Sequence, residues 1–132
     1  MTDVTWAFPE VDAGAEPLGD KVLVQMKRIK KTTASGLLIV NDTKEAEKWN
    51  TQIAKVIAVG PLAFKNRDTL LPWPEGVWAE VGDFVRIPKW GGDRWEIPVE
   101  GEEEPALFCI FRDVELIARI KGDPMKIRAY LI

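Results

Sequence analysis

Val81–Ile97 reads VGDFVRIPKWGGDRWEI. Gly82-Asp83 is a turn dipeptide, and behind it Phe84 and Arg86 alternate with Val85 and Ile87, the two-residue period of a half-buried strand. Gly91-Gly92 follows at once. Adjacent glycines accept the positive φ of a tight hairpin turn, so DRWEIPV is expected to return alongside as the second arm. The same period recurs outward from here. Val22, Val24 and Met26 alternate in DKVLVQMKR, and IAKVIAVG (Ile53–Gly60) is short, β-branched and stopped by glycine. PALFCIF and VELIARI supply two more strands, with Arg112-Asp113 between them. TKEAEKW is the best helical candidate and is only a turn or two long. Six or seven short strands predict an all-β fold, a small barrel or sandwich.

Composition narrows the function. The 132 residues, 46% of them apolar, are enough for one core, and the chain is read as one domain over residues 1–132. Charged residues make up 30% and the net charge is -3, a balance that argues against a protein gripping nucleic acid through its phosphates. No apolar run approaches the length of a bilayer span. The start, MTDVTWAFPEVDAGAEP, is acidic and has no Lys or Arg, unlike a secretory signal or transit peptide. The single cysteine, Cys109, excludes an internal disulfide framework and fits a reducing compartment.

Catalysis is not expected. The chain has no histidine, which removes the commonest general base and the commonest metal ligand together. Cys109 lies in the apolar run ALFCIF and reads as a core thiol. Glu100, Glu102, Glu103 and Glu104 in PVEGEEEP lack the regular spacing that organises ligands around a hard metal, so a solvated loop is expected and no metal site. Nucleophile elbow, phosphate-binding glycine loop and paired-cysteine zinc pattern are all missing.

Two long stretches resist strand assignment, one from 27 to 50 and one from 61 to 80. Connections of this length in a compact domain are usually functional or disordered, and function is sought there. The first contains KKTTASGLLIVN (Lys30–Asn41), a greasy run between polar flanks. It reads either as a short buried strand with ordinary turns or as a hydrophobic hook on a flexible line.

Five segments, in order, resemble the GroES/chaperonin-10 co-chaperonins. PLGDKVLVQ (Pro17–Gln25) looks like that family's opening strand, ASGLLIV (Ala34–Val40) like its mobile loop, and AKVIAVGP (Ala54–Pro61) like the strand leading to its roof loop. VGDFVRIPKWGGDRWEI matches its Val-Gly-Asp segment with the following Gly-Gly, and ALFCIFRDVELIARI (Ala106–Ile120) its closing strand pair. Each motif is weak alone; their shared order over 17–120 is not.

The resemblance implies a small GroES-like β-barrel with a long mobile loop and a roof loop. It implies a homo-oligomeric ring, normally a heptamer, that caps a GroEL-type chaperonin in an ATP-dependent cycle and encloses an unfolded client. Gly36, Leu37, Leu38 and Ile39 correspond to the chaperonin-binding hook, and 61–80 to the roof, with Leu70, Leu71, Trp73 and Trp78 in TLLPWPEGVW. No cofactor is implied, because the ATP is bound by the partner. The setting implied is cytoplasmic, bacterial or that of a phage-infected host.

Burying three aliphatic side chains yields roughly 5–9 kcal/mol, at about 1.5–3 each. Ordering some ten loop residues costs on the order of 10 kcal/mol or more. One loop should bind poorly, and several on one ring should bind well, because each docked loop raises the effective concentration of the next.

Departures from the family pattern are a Ser35-Gly36 pair where Gly-Gly is frequent, Leu37 where Ile is frequent, and a longer, more apolar roof. Its aromatics pack either between subunits or on the protomer's own barrel. Residues 1–16 and 121–132 are extensions; Met125, Ile127, Ala129 and Leu131 alternate with Lys126, Arg128 and Tyr130, which predicts one more strand. The resemblance to a family whose terminal strands form subunit contacts implies that this tail adds to the inter-subunit interface. Such elaborations are similar to those of bacteriophage-encoded members. The alternative reading is a single-stranded nucleic-acid-binding barrel, for which Lys27, Arg28, Lys30 and Lys31 would supply charge, and Trp90 and Trp95, near Lys89 and Arg94, would stack bases.

Overall fold

The computed structural model describes residues 4–28, 52–89 and 91–126. Its strands are β1 (Lys21–Met26), β2 (Ile53–Val59), β3 (Phe84–Arg86), β4 (Asp93–Ile97), β5 (Ala106–Arg112) and β6 (Ala118–Arg119). They form one antiparallel sheet in the order β4-β5-β1-β2-β3-β6. The fold is all-β, a small GroES-like β-barrel. One core cluster joins Val22, Val24, Met26, Val56, Val85, Leu107, Cys109 and Phe111, residues from four strands, so the sheet curls around a common interior. A bulge between Leu23 and Val24, where the register against β2 shifts, adds to the bend of the central pair.

The central strand β1 is buried on both faces, not one. Val22, Val24 and Met26 point into the main core, while Leu23 packs with Ala13, Ala106 and Phe108 on the other side. The cover on that outer face comes from the N-terminal segment. Gln25 Nε2 donates to the Pro9 carbonyl at 2.8 Å, and Trp95 Nε1 donates to the Ala13 carbonyl at 2.8 Å. A short helix, α1 (Val4–Ala7), precedes it. Ala7 and Phe8 form a third cluster with Ile53 at one end of the barrel, closed by Trp6, Phe84, Ile120 and Met125.

Two sequence expectations are corrected here. The segment after Gly91-Gly92 does not fold back on β3. Both edges of β3 are already occupied, by β2 and β6, and β4 pairs with β5 instead. Gly92, at φ +73°, lies so close to β5 that a Cβ would sit 2.8 Å from Cys109 Sγ and 2.9 Å from the Ile110 carbonyl oxygen. The glycine is there for close approach, not for a hairpin turn.

VELIARI likewise contributes only the two-residue β6, after a 3₁₀ turn at Asp113–Glu115. Asp113 is buried, and its N–H and carboxylate bond to Asp20 and Phe64, which takes the backbone off the sheet. Within the expected C-terminal strand, Pro124–Lys126 is a 3₁₀ turn, and 127–132 lie outside the described residues.

Candidate functional site

The stems of the first excursion stand side by side. The Lys27 N–H donates to the Ile53 carbonyl at 2.9 Å, so the chain departs from β1 and returns to β2 at one place on the barrel. On the returning side, the Ile87 N–H donates to the Gln52 carbonyl at 2.9 Å and Gln52 Nε2 to the Ile87 carbonyl at 3.3 Å. Lys27 Nζ reaches the Pro124 carbonyl at 3.3 Å. Gly36, Leu37, Leu38 and Ile39 lie outside the described residues, as does TKEAEKW.

Arg28 follows Lys27 on the departing stem, and its side chain is only 1% exposed. A buried guanidinium needs its donors used, and three are: Nε on the Trp6 carbonyl at 2.8 Å, Nη1 on the Glu104 carbonyl at 2.6 Å, Nη2 on Glu102 Oε1 at 2.6 Å. Its Cζ also lies 4.4 Å from the centroid of the Trp6 ring, a cation–π geometry. Sequence reading placed Arg28 in a basic cluster with Lys27, Lys30 and Lys31; nothing local marks the residue as buried, because its partners, Trp6, Glu102 and Glu104, are distant in sequence.

The second excursion has a folded shape. Lys65 and Pro72 form an isolated antiparallel bridge, and the Asn66 N–H donates to the Leu71 carbonyl at 2.8 Å. Asn66 Oδ1 accepts from the Asp68 and Thr69 N–H groups, which closes the tip as an Asx turn. Leu70 sits at φ +62°, a left-handed conformation uncommon for leucine, and the tip displays Leu70 at 53% and Leu71 at 64% exposure.

Trp73 and Trp78 do the opposite. They stack with centroids 6.2 Å apart, Trp78 tilts against Phe64 at 5.6 Å, and both pack on the main core of their own barrel. Beside them, Val77, Val114 and Ile117 are exposed around a groove of about 420 Å³ along β6, with Glu75 and Arg119 also lining it.

The chemistry of the rest is structural. Cys109 is buried in the core, and burial pushes its thiol up to about 11. Among the described residues no group of three His, Cys, Asp or Glu could hold a metal ion, and no helix is long and apolar enough to cross a membrane. Three described members of the basic-aromatic set make contacts within the fold. Trp95 stacks on Phe108, Arg94 donates to the Gly91 and Pro88 carbonyls, and Arg28 is clamped as above. Lys30, Lys31 and Trp90 lie outside the described residues.

Residues 14–120 match the family described as the Chaperonin 10 Kd subunit. The chain belongs to that family. As a chaperonin-10 member it is a co-chaperonin and not an enzyme. It is 37% identical over 108 residues to the mitochondrial 10 kDa heat shock protein of Saccharomyces cerevisiae, covering 81% of this chain and 89% of the yeast protein. It is 41% identical over 88 residues to the co-chaperonin GroES of Corynebacterium jeikeium, covering 67% and 79%. It is 32% identical over 112 residues to that of Methylacidiphilum infernorum, covering 85% and 99%. The chaperonin-10 match begins at Gly14, so Trp6 and Ala7, which hold Arg28, Phe8, which packs on Ile53, and Pro9, which receives Gln25, come from outside it.

Proposed function

We propose that this co-chaperonin works as a ring-shaped lid on a GroEL-type chaperonin, as a single domain with terminal extensions repeated normally seven times. It docks in an ATP-dependent manner through Gly36, Leu37, Leu38 and Ile39 and encloses an unfolded client. The nucleotide belongs to the partner, and the lid carries no cofactor of its own. The setting is the cytoplasm. The observation that carries this reading is the in-order family match over 14–120, which includes the aliphatic triplet between two strands whose ends are hydrogen-bonded to each other.

Two features of the barrel support it. The groove along the short edge strand β6 offers Val77, Val114 and Ile117 to a neighbour in the ring. The second excursion puts Leu70 and Leu71 on a braced tip, with Trp73 and Trp78 as its footing, a shape suited to a roof hairpin. Native mass spectrometry of the protein, alone and then with a GroEL-type chaperonin and ATP, tests the reading. A ring mass and a nucleotide-dependent complex are expected; a monomer that forms no complex would overturn it.

A further inference from the structure

The N-terminal segment touches both stems of the first excursion at once. On the departing stem, the Arg28 N–H donates to the Ala7 carbonyl at 3.0 Å, and the Arg28 guanidinium grips the Trp6 carbonyl and lies over the Trp6 ring. On the returning stem, Ile53 is 1% exposed and packs with Ala7 and Phe8. Phe8 in turn meets Phe84 with ring centroids 5.2 Å apart, and the other arms of the Arg28 fork fasten the turn that holds Glu102 and Glu104. Four separate pieces of chain therefore converge on the point from which the residues assigned to chaperonin binding set out.

We propose that Arg28 is a positioning residue for chaperonin capture, and that residues 4–8 serve, through it, as a built-in clamp on the root of the chaperonin-binding segment. This rests on the lid reading above and adds to it a part that the family match, starting at Gly14, does not include. The physical reason is preorganisation. A fixed root limits the directions in which Gly36–Ile39 can be presented, and residues already ordered need not be ordered again on docking. Lose the clamp, and every docking event carries that extra entropy. Because several copies dock together, a small loss per copy compounds across the ring.

The choice of variants follows from burial. Arg28→Gln removes the charge and the planar three-way fork from a buried position, so stability falls with it. Glu102→Gln and Trp6→Leu decide the matter, since Glu102 is 38% exposed and Trp6 only half-buried. Arg28→Lys keeps the charge but not the planar three-way fork, and is expected to rescue incompletely.

The experiment measures capture of the full-length protein by a GroEL-type chaperonin with ATP, with melting temperature and ring mass recorded on the same samples. Expected is roughly tenfold weaker capture or more for Glu102→Gln combined with Trp6→Leu, at unchanged ring mass. Amide exchange of residues 4–8 and 26–28 should rise in step. If the double variant keeps its ring and binds as tightly as the unaltered protein, the clamp proposal is overturned. If the unaltered protein itself is not captured, the lid reading fails instead.

Discussion

Asp113 Oδ2 accepts a hydrogen bond from the Phe64 N–H at 2.6 Å, across 49 residues of sequence. Phe64 stands at φ +63° with its ring in the main core and against Trp78. The buried carboxylate thus holds the start of the roof excursion in a conformation that phenylalanine rarely adopts.

Asp113→Ala removes the acceptor and leaves the buried Phe64 N–H without one. A loss of about 1–3 kcal/mol is expected, the usual cost of leaving a buried donor unsatisfied. Urea unfolding followed by tryptophan fluorescence, to which Trp73 and Trp78 contribute among the six indoles of the chain, reads it. An unchanged midpoint would show that the carboxylate does not hold the roof.

Gly60→Ala is expected to destabilise by about 2 kcal/mol or more, as overpacking against backbone does. Its Cβ would clash with the Gly19 carbonyl oxygen and lie 3.1 Å from that of Lys21, neither of which can move like a side chain. Thermal unfolding of the variant checks this, and a melting temperature equal to that of the parent refutes it.

Asp20 gives a dependence on acid. Burial pushes its carboxyl up, but hydrogen bonds from Lys21 Nζ and Arg112 Nε, each 3.0 Å, outweigh that and hold it below its ordinary value. A carboxyl lowered in the folded state stabilises fully above its unfolded value and loses that contribution as pH falls through the folded one. Asp20→Asn should therefore melt a few degrees lower at neutral pH, with the gap closing in strong acid. A gap independent of pH would contradict this.

Cys109 runs the other way. With its thiol raised to about 11 by burial, the native protein should resist iodoacetamide at pH 8 and react once unfolded. Stability should decline above about pH 9, where the unfolded chain releases a proton that the native thiol keeps. Fast alkylation of the folded protein would place the thiol at the surface.

How much of this could be read beforehand depends on range. The strands at Lys21–Met26, Ile53–Val59 and Ala106–Arg112 follow from period and composition, because burial on a sheet is written residue by residue. The partner of β4 was not legible. Gly91-Gly92 carries the local signal of a hairpin, and only the packing of Gly92 against β5 shows that close approach is its use.

The N-terminal segment was invisible as structure for a similar reason. Nothing in TWAFPEVDA announces that Trp6 and Ala7 will receive Arg28, or Ala13 the indole of Trp95. The roof excursion was legible as an excursion, with TLLPWPEGVW as its apolar part. What sorted Leu70 and Leu71 outward and Trp73 and Trp78 inward was the Asn66 turn and the nearby core.

The most direct measurement is ATP-dependent pull-down by a GroEL-type chaperonin of the unaltered protein beside Leu38→Asp and Ile39→Asp, with ring mass as the control. Placing a charge where an aliphatic side chain must be buried removes the docking energy and adds a desolvation cost. Capture of the parent only, with all three proteins forming the same ring, is the predicted result. Equal capture of all three would contradict the account.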